Sequence, residues 1–600
     1  MSAFELPEGD TSVDATTSVD ATASEDRTAS RGNGARDCPE RPRNGTFEEL
    51  GFACKPMVRW LDPRQLLDTS ARVVLSGIFG TYSDKRELQA LMPTEIYDRS
   101  NHEELWLDYV ADLGDGWDPT YSVATLLAAE TLEVASDQRS YQTERGGILV
   151  MGGDAVYPVP KRADYENRML GPYRAALPCT HHRHPELYAV PGSHDWYDGL
   201  VNFTSVFCRS YWIGGWKTRQ NRSHFALKLP HGWWLWGVDI QFGDYIDEAQ
   251  VRYFSEVADT RVARGDRIIL CTARAPGTGG SQPHLYAERN LQYFQREIIA
   301  PSGAELVLQM TSGRHHYAHY REAGGSRHHV NGGGGGAFLH PTHHLPEHLE
   351  IEAAEGPPVT YEQVATYPSE ASSRRLRKRL WLLPLRNPTF AGFLGSVQVI
   401  LALMLGLHRE SANESLAMAD LWEALWTSPT AVLLVLFMVT MLGAMVRFAH
   451  DAPGTTRILL GAVHSALQLA SLAGLMIASS SITSALGLHG IVSVIAFLGF
   501  LAVLGGLGGA LGFAAYLWVT NCLGFHANEA YAPLRIKDFK HFVRMRIDRN
   551  GTLTVFPIGV DRVSRHWELC TDGPEEAPWF RPERGELQAK LVERPFEIGG

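Results

Sequence analysis

Three short apolar segments near the start of the chain each run into a turn that pairs glycine with a carboxylate or an imidazole. The segments are residues 105–110, 147–151 and 187–190, and the turns after them hold Asp112, Asp154, and His194 beside Asp195. Sites in α/β folds form where parallel strands end, at the carboxyl edge of the sheet. The segments therefore predict an α/β domain with oxygen and nitrogen donors gathered at one sheet edge.

These turns and one later segment follow the order of four motifs of a known enzyme family. The motifs are Asp112-Leu113-Gly114, Gly153-Asp154-Ala155-Val156-Tyr157, Gly192-Ser193-His194-Asp195 and Gly313-Arg314-His315-His316. The series resembles the calcineurin-like metallophosphoesterase superfamily, and within it the purple acid phosphatase pattern, across residues 73–343. Longer strings, such as the glycine run at residues 332–336, look like a large bacterial membrane-attached branch of that superfamily.

The resemblance implies a fold and a metal centre. The fold is α/β, a calcineurin-like four-layer α/β sandwich in which two mixed sheets lie between outer helices. One metal site of the family takes two aspartates, a tyrosine and a histidine, which correspond here to Asp112, Asp154, Tyr157 and His316. Carboxylate, phenolate and imidazole donors suit iron, manganese or zinc. The resemblance thus implies a complete first metal site.

The family's second metal site lacks three of its ligands in this chain. Ser193 stands where the family has asparagine, Arg314 stands for a histidine, and Thr272-Ala273 follow a predicted strand where a lone histidine is expected. We therefore expect about one tightly bound metal ion per chain. Asp115 and His315 could fill the gap, but a turn carboxylate and a neighbour on the opposite face of an extended segment are the simpler interpretations.

Three residues have catalytic roles by the same resemblance. His194 occupies the position that faces the leaving group, and Asp195 is expected to orient its imidazole, because a carboxylate beside a histidine fixes its tautomer. Arg314 is expected to hold phosphate oxygens, since a guanidinium binds them with a bidentate fork.

Composition limits the class of protein and its surroundings. The formal net charge is −12, which argues against a nucleic-acid binder, because such proteins present a basic face. The seven cysteines form no C-x-x-C pair, so we expect reduced thiols in the cytoplasm rather than disulfides. Residues 1–45 are rich in Ser, Thr, Asp and Ala without an apolar run, which predicts a disordered tail and no signal peptide.

The second half of the chain predicts a membrane region. Residues 46–350 would form the metallophosphoesterase domain, and a basic linker at 351–388 leads to apolar runs at 390–407, 429–446, 458–477 and 490–519. About 20 apolar residues span a bilayer, so residues 389–524 predict a bundle of about four transmembrane helices. The last run contains a glycine cluster and could be one tilted span or a broken pair. Basic residues before the first span and after the last place both ends in the cytoplasm.

Residues 525–600 predict a small β-rich region after the membrane helices. Asn550-Gly551 lies between two alternating runs at 542–547 and 552–557, which is typical of a β-hairpin. We expect this region to be cytoplasmic, and it could pack on the catalytic domain or on a partner.

The sequence predicts a multi-pass membrane protein whose cytoplasmic domain is a metal-dependent phosphoesterase. Its substrate would be a phosphorylated small molecule, either a phosphomonoester or a phosphodiester, and its other partner the lipid bilayer. The alternative is a degenerate phosphoesterase that binds a metal or a phosphorylated ligand and signals through the helices. The missing ligands of the second metal site motivate this alternative.

Overall fold

A computed structural model describes residues 38–79, 89, 92–136, 139–181, 183–240, 245–274, 282–351, 357–411 and 429–599. Most of the predicted tail therefore lies outside the described residues. The strands are β1 Tyr97–Asp98, β2 Leu105–Val110, β3 Thr131–Ser136, β4 Arg139–Glu144, β5 Ile148–Met151, β6 Glu186–Ala189, β7 Trp212–Ile213, β8 Trp216–Thr218, β9 Phe225–Lys228, β10 Trp233–Val238, β11 Arg267–Thr272, β12 Glu305–Thr311, β13 Tyr317–Glu322, β14 His328–Gly332, β15 His348–Ile351, β16 Val359–Tyr367, β17 Lys540–Ile547, β18 Leu553–Val560, β19 Trp567–Leu569, β20 Phe580–Pro582, β21 Ala589–Leu591 and β22 Phe596–Ile598.

The helices include short turns around the sheets and long apolar helices in the second half of the chain. They are α1 Phe47–Leu50, α2 Pro63–Phe79, α3 Trp117–Ala128, α4 Arg162–Tyr165, α5 Gly171–Ala176, α6 Val201–Phe207, α7 Glu248–Arg261, α8 Gln282–Phe294, α9 Ala300–Ser302, α10 Glu370–Arg377, α11 Leu383–Arg386, α12 Pro388–Ser411, α13 Pro429–Phe448, α14 Gly454–Ala485, α15 Gly490–Cys522 and α16 Ala527–Tyr531.

Two large mixed sheets form the centre of the protein. The first has the order β1-β9-β10-β11-β12-β14-β13-β16-β15, and the second has the order β21-β18-β17-β2-β5-β6-β8-β7, with β22 also on β18. Within them, β2, β5 and β6 are parallel neighbours, and so are β11, β12 and β14. The carboxyl edges of these two parallel sets are where the predicted motif residues lie.

Three hydrophobic clusters arrange the sheets and helices in layers. One cluster lies between the sheets and joins Tyr109 and Val150 of the second sheet to Met310 of the first. A second packs α3 on the outer face of the second sheet, and a third packs α7 and α8 on the outer face of the first. The order of layers is helix, sheet, sheet, helix, so the predicted mixed α/β architecture is confirmed.

The C-terminal region belongs to the central fold. The predicted hairpin is present, because β17 and β18 pair antiparallel around a turn in which Gly551 has φ 81°. In addition, β17 pairs antiparallel with β2, and the buried Arg544 guanidinium meets the Asp108 carboxylate at 2.7 and 3.0 Å. The strand nearest the candidate site is therefore held by a strand more than 400 residues away in the chain.

Fewer helices than the predicted four are long and apolar enough to span a membrane, among the residues that the structure describes. Among the described residues, α14 and α15 are long and apolar enough to cross a membrane, and a bent pair from Glu370 to Met404 could supply a third span. The four-helix transmembrane bundle is therefore not confirmed. The glycine cluster does not break α15, which is continuous from Gly490 to Cys522. A Cβ on Gly506 would lie 2.5 Å from the Ala391 carbonyl oxygen, so glycine lets α15 pack closely on α12.

The expectation that all cysteines are reduced thiols is wrong in this structure. Cys38 and Cys179 form a disulfide that ties the first described residue to the turn before β6. Nothing in the spacing of these two cysteines, 141 residues apart, indicated the pair. The other cysteines, at positions 54, 208, 271, 522 and 570, are free.

Candidate metal centre

Two aspartates at the ends of neighbouring strands form the centre of the candidate site. Asp112 follows β2 and Asp154 follows β5, and both have positive φ angles, 56° and 49°. The two turns are joined by hydrogen bonds from the Asp112 amide to the Gly153 carbonyl and from the Leu113 amide to the Asp154 carbonyl, each 3.0 Å. Left-handed backbone at a residue other than glycine is strained and is common at functional sites. The strain here turns both carboxylates to the same edge.

Two glycines leave room for these carboxylates. A Cβ on Gly192 would lie 2.2 Å from the Asp154 amide and carboxylate, and a Cβ on Gly333 would lie 2.1 Å from Asp112 Oδ2. Gly333 belongs to the glycine run 332–336 at the end of β14, so this run packs against the site. No larger residue fits at either position without displacing a carboxylate.

Tyr157 and His315 complete the group around the two carboxylates. The Tyr157 hydroxyl lies 3.2 Å from Asp112 Oδ1, 3.3 Å from Asp154 Oδ2 and 2.9 Å from His315 Nε2. His315 Nδ1 donates to the Phe338 carbonyl at 2.8 Å, which leaves Nε2 without a proton, 4.0 Å from Asp112 Oδ1. A histidine that donates one nitrogen to a carbonyl and presents the other to carboxylates has the arrangement of a metal ligand.

His316 follows His315 on the same loop. Neither of its ring nitrogens makes a hydrogen bond with a described residue, although the side chain is buried. Burial, with His340 and Arg314 nearby, lowers the pKa of His316, so its imidazole is neutral. Asn331 Nδ2 fixes the backbone by donating to the carbonyls of Arg314, at 2.7 Å, and His316, at 2.5 Å. The structure thus brings His315, rather than the predicted His316, to Asp112 and Tyr157.

The two buried carboxylates Asp112 and Asp154 form a group that a bound cation would stabilise. Asp112 accepts hydrogen bonds from the Gly313 amide, and Asp154 accepts one from the His194 amide. Among the described residues, no lysine or arginine donates to either carboxylate. Burial raises the pKa of Asp112, and the Asp154 carboxylate raises it further. Buried carboxylates in proteins are paired or bind metals, so two carboxylates, a phenol and a bare imidazole nitrogen fit a transition metal ion.

His194 is oriented by a backbone carbonyl rather than by Asp195. Its Nδ1 donates to the Pro158 carbonyl at 2.8 Å, and its ring lies 4.4 Å from the Tyr157 ring. The Asp195 carboxylate instead accepts from the Gly192 amide at 2.9 Å and the Tyr165 hydroxyl at 2.5 Å. Burial and the Asp154 charge raise the pKa of Asp195 to about 7. The predicted pairing of Asp195 with His194 is therefore wrong, because the turn amides use its oxygens.

The residues that replace the second set of family ligands lie around Asp154. Ser193 Oγ is 3.5 Å from Asp154 Oδ2. Ala273 packs so closely that a Cβ on Gly153 would lie 2.6 Å from its methyl group. The Arg314 side chain is half-buried, and its guanidinium makes no hydrogen bond with a described residue. Asp115 accepts from the amides of Val58 and Phe338, which makes it a turn carboxylate.

Several residues at the site come from distant parts of the chain. Trp60, before α2, has its ring 6.0 Å from the rings of both His194 and Tyr157. His541 on β17 touches the glycine run, where a Cβ on Gly334 would lie 2.0 Å from its Nδ1. Within the part of the chain that the structure describes, neither ring nitrogen of His541 has a hydrogen-bond partner. No local motif marks these residues, so sequence reasoning could not find them.

Comparison with known proteins gives weak structural neighbours only. No family model and no curated protein matches the chain. Solved structures that match include GAP50, the anchor in the inner membrane complex of Plasmodium, at 11% identity and a TM-score of 0.29 over 40% of this chain and 74% of that chain. PhoD matches at 10% identity and a TM-score of 0.27, over 40% of this chain and 58% of that chain. Purple acid phosphatase PPD1 from yellow lupin matches at 12% identity and a TM-score of 0.26, over 46% of this chain and 49% of that chain. At these scores the functional argument rests on the chain's own residues.

Proposed function

We propose that this protein is a membrane-anchored, metal-dependent phosphoesterase that hydrolyses a phosphomonoester or phosphodiester of a small molecule. The observation that carries the proposal is the pair of buried carboxylates, Asp112 and Asp154, which share Tyr157 and accept from no lysine or arginine among the described residues. Phosphoester hydrolysis needs a nucleophile and positive charge on the phosphoryl oxygens. A metal ion held by these oxygens would supply both, by lowering the pKa of a bound water and by neutralising charge.

The chain's own side chains account for the remaining requirements. Asp112, Asp154, Tyr157 and the bare nitrogen of His315 would hold the ion, and His316 offers a further neutral imidazole on the same loop. His194 donates through Nδ1 to a backbone carbonyl, so Nε2 would first have to take up a proton, giving the imidazolium form, and could then pass that proton to the leaving oxygen. This assignment keeps the predicted role of His194 and gives the histidine ligand to His315.

Arg314 replaces positive charge that a second metal ion would otherwise provide. Its guanidinium can bind two phosphate oxygens at once. Among the described residues, no side chain makes a hydrogen bond or a close ion pair with it, and the Asp451 and Glu529 carboxylates attract it at longer range. Burial lowers the pKa of Arg314, yet a guanidinium remains charged at any physiological pH. The alternative function, a degenerate binder of a metal or a phosphorylated ligand, is favoured by Ala273 and Ser193, which offer no imidazole or amide at the second site.

Substitution of Arg314 distinguishes these two functions. Arg314→Gln is expected to lower kcat/KM for an aryl phosphate by about 10- to 100-fold, because it removes charge-assisted hydrogen bonds to the phosphate. Its metal content should not change, since Arg314 is not a ligand. Arg321→Gln, an exposed arginine on β13, is the matched control and should leave turnover unaltered. Equal turnover by both variants would remove Arg314 from the proposed site.

The pairing of β2 with β17 constrains the membrane topology. Both strands belong to one sheet, so residues 105–110 and 540–547 lie on the same side of any membrane, and the chain between them crosses it an even number of times. The start of α12 and the end of α15 lie at one end of the helices, where the Arg386 side chain donates to the Leu534 carbonyl. We propose that α12 to α15 all cross, which gives four spans.

The distribution of basic residues sets the proposed orientation. The ends of the helices nearest the sheets carry Arg386, Arg447, Arg457 and Arg535. By sequence, the stretch from 405 to 428 contains Arg409 alone, and residues 486–489 contain no Lys or Arg. Lys and Arg favour the cytoplasmic side, so the catalytic domain would face the cytoplasm. The disulfide between Cys38 and Cys179 favours an oxidising compartment instead. We give more weight to the basic residues because they agree at three separate segments.

Reporter fusions test this topology. Fusions before Phe390 and after the C-terminus are expected to report cytoplasm, and a fusion near Asn413 is expected to report the opposite side. Fusions at the two ends that report opposite sides would contradict both the even number of spans and the shared sheet. Ends that agree on the outside would keep the sheet and reverse the orientation.

A further inference from the structure

A second group of metal-binding side chains lies where the long helices meet the sheets. His450 and Asp451 lie in the turn between α13 and α14, and His526 and Glu529 lie at the start of α16, just after α15. Single ligand atoms of His450, Asp451 and Glu529 all lie within 4.8 Å of one another. These residues belong to none of the four motifs, and they are separate from the carboxylates Asp112 and Asp154.

The distances within this group match those around one metal ion. His450 Nε2 is 3.1 Å from Asp451 Oδ1 and 4.0 Å from Glu529 Oε1, and His526 Nδ1 is 3.7 Å from Glu529 Oε2. Two ligand atoms that each lie about 2.1 Å from a tetrahedral ion are separated by about 3.4 Å. His450, Asp451 and Glu529 therefore have donor atoms at separations that suit one ion, and His526 lies against the second oxygen of Glu529.

Two of the buried donor atoms face each other beyond hydrogen-bond distance. His526 is fully buried, and its Nδ1 lies 3.7 Å from Glu529 Oε2; among the described residues, neither atom has a closer hydrogen-bond partner. His526 Nε2 meets the Tyr516 hydroxyl at 3.1 Å. When Nε2 donates to that oxygen, Nδ1 carries a free lone pair directed toward the Glu529 carboxylate. In metal sites, a hydrogen bond from the ring nitrogen that does not bind the metal orients the histidine and fixes its tautomer.

We propose that His450, Asp451, His526 and Glu529 form a second site that binds a divalent transition metal ion at the junction of the helices and the sheets. Two imidazoles and two carboxylates favour zinc, manganese or iron over calcium or magnesium, which prefer oxygen ligands alone. The site joins the turn between two helices to α16, so an ion there cross-links the helical region at the end that faces the sheets.

The second site is connected to the candidate catalytic centre by direct contacts. Asn528, next to Glu529, meets His340 Nε2 at 3.2 Å through its side-chain oxygen. The His340 ring stacks on the His315 ring at 4.2 Å, and His315 faces Tyr157 and Asp112. An ion at the junction therefore holds the segment that supports the histidine of the catalytic centre.

Metal analysis of the purified full-length chain in detergent tests the second site. The chain carries no histidine tag, is stripped with a chelator and is then equilibrated with zinc before elemental analysis. We expect about two ions per chain in the wild type, one in Asp154→Asn, one in His450→Ala and none when both changes are combined. Zinc affinity measured against a chromophoric chelator should fall by at least about 100-fold at the junction in Glu529→Gln.

The controls separate this proposal from the catalytic one. His489→Ala removes an exposed histidine at the far end of the same helices and should keep the wild-type zinc content. Zinc that is lost in His450→Ala but is unaffected by Asp154→Asn would support the junction site even if the catalytic centre binds no metal. Unchanged zinc content and affinity in both His450→Ala and Glu529→Gln would overturn the proposal. These four side chains would then form ion pairs with one another and bind no metal.

Discussion

Asp154→Asn is expected to abolish metal binding at the catalytic centre and to lower hydrolysis of any phosphoester substrate by at least about 100-fold. The carboxylate shares the Tyr157 hydroxyl with Asp112 and also accepts the His194 amide at 2.7 Å, so it connects the metal donors to the leaving-group histidine. Loss of a residue that only supports a metal ligand costs about 10- to 100-fold, and loss of a direct ligand costs more. Elemental analysis and turnover of an aryl phosphate measure the two effects.

The fold of this variant should be preserved, because asparagine has nearly the same shape and can still accept the His194 amide. Circular dichroism and thermal unfolding check that point. Asp572→Asn, on an exposed loop, is the matched control and should keep wild-type metal content and turnover. Full metal occupancy and full activity in Asp154→Asn would remove the proposed centre.

Arg544→Met is expected to release the C-terminal strands from the catalytic sheet. The Arg544 guanidinium and the Asp108 carboxylate are both buried and form two hydrogen bonds between β17 and β2. Removal of one partner leaves the other charge buried and unpaired, which costs about 3–5 kcal/mol. Hydrogen exchange of amides in residues 540–547 should accelerate by about 100-fold or more, since local opening then requires less free energy.

Two further variants test whether the faster exchange comes from the loss of this ion pair. Arg549→Met changes an exposed arginine on the same hairpin, 3.8 Å from the exposed Glu103, and should leave exchange near the wild-type rate. Adding Asp108→Asn to Arg544→Met removes the stranded charge and should restore part of the protection. Wild-type exchange in Arg544→Met alone would contradict the role of this ion pair in holding β17 on β2.

The turns after β2, β5 and β6 were predictable because apolar runs that end in glycine and aspartate have a strong local pattern. The pairing of β17 with β2 was not predictable, because alternating apolar and polar residues indicate a strand but not which strand it pairs with. For the same reason, His541 and Trp60 could not be placed at the site. The C-terminal residues thus complete a centre whose motifs all lie between residues 112 and 316.

The sequence pattern also could not show which of the two neighbouring histidines faces the carboxylates. An extended segment predicts that His315 and His316 face opposite ways, but not which of them faces Asp112. The Phe338 carbonyl, from the loop after the glycine run, decides this by accepting from His315 Nδ1. Asp195 was misassigned for a similar reason, since its carboxylate bonds to the amides of its own turn and of Ala155.

Metal-dependent turnover by the purified full-length chain tests the central claim most directly. The chain would be stripped with a chelator, supplied with zinc, manganese or iron in turn, and assayed on an aryl phosphate and an aryl phosphodiester. We predict that hydrolysis disappears on chelation, returns with at least one of these ions, and stays absent in Asp154→Asn under every condition. A chain that binds metal at Asp154 and yet hydrolyses neither substrate would contradict the phosphoesterase account and favour the degenerate binding module.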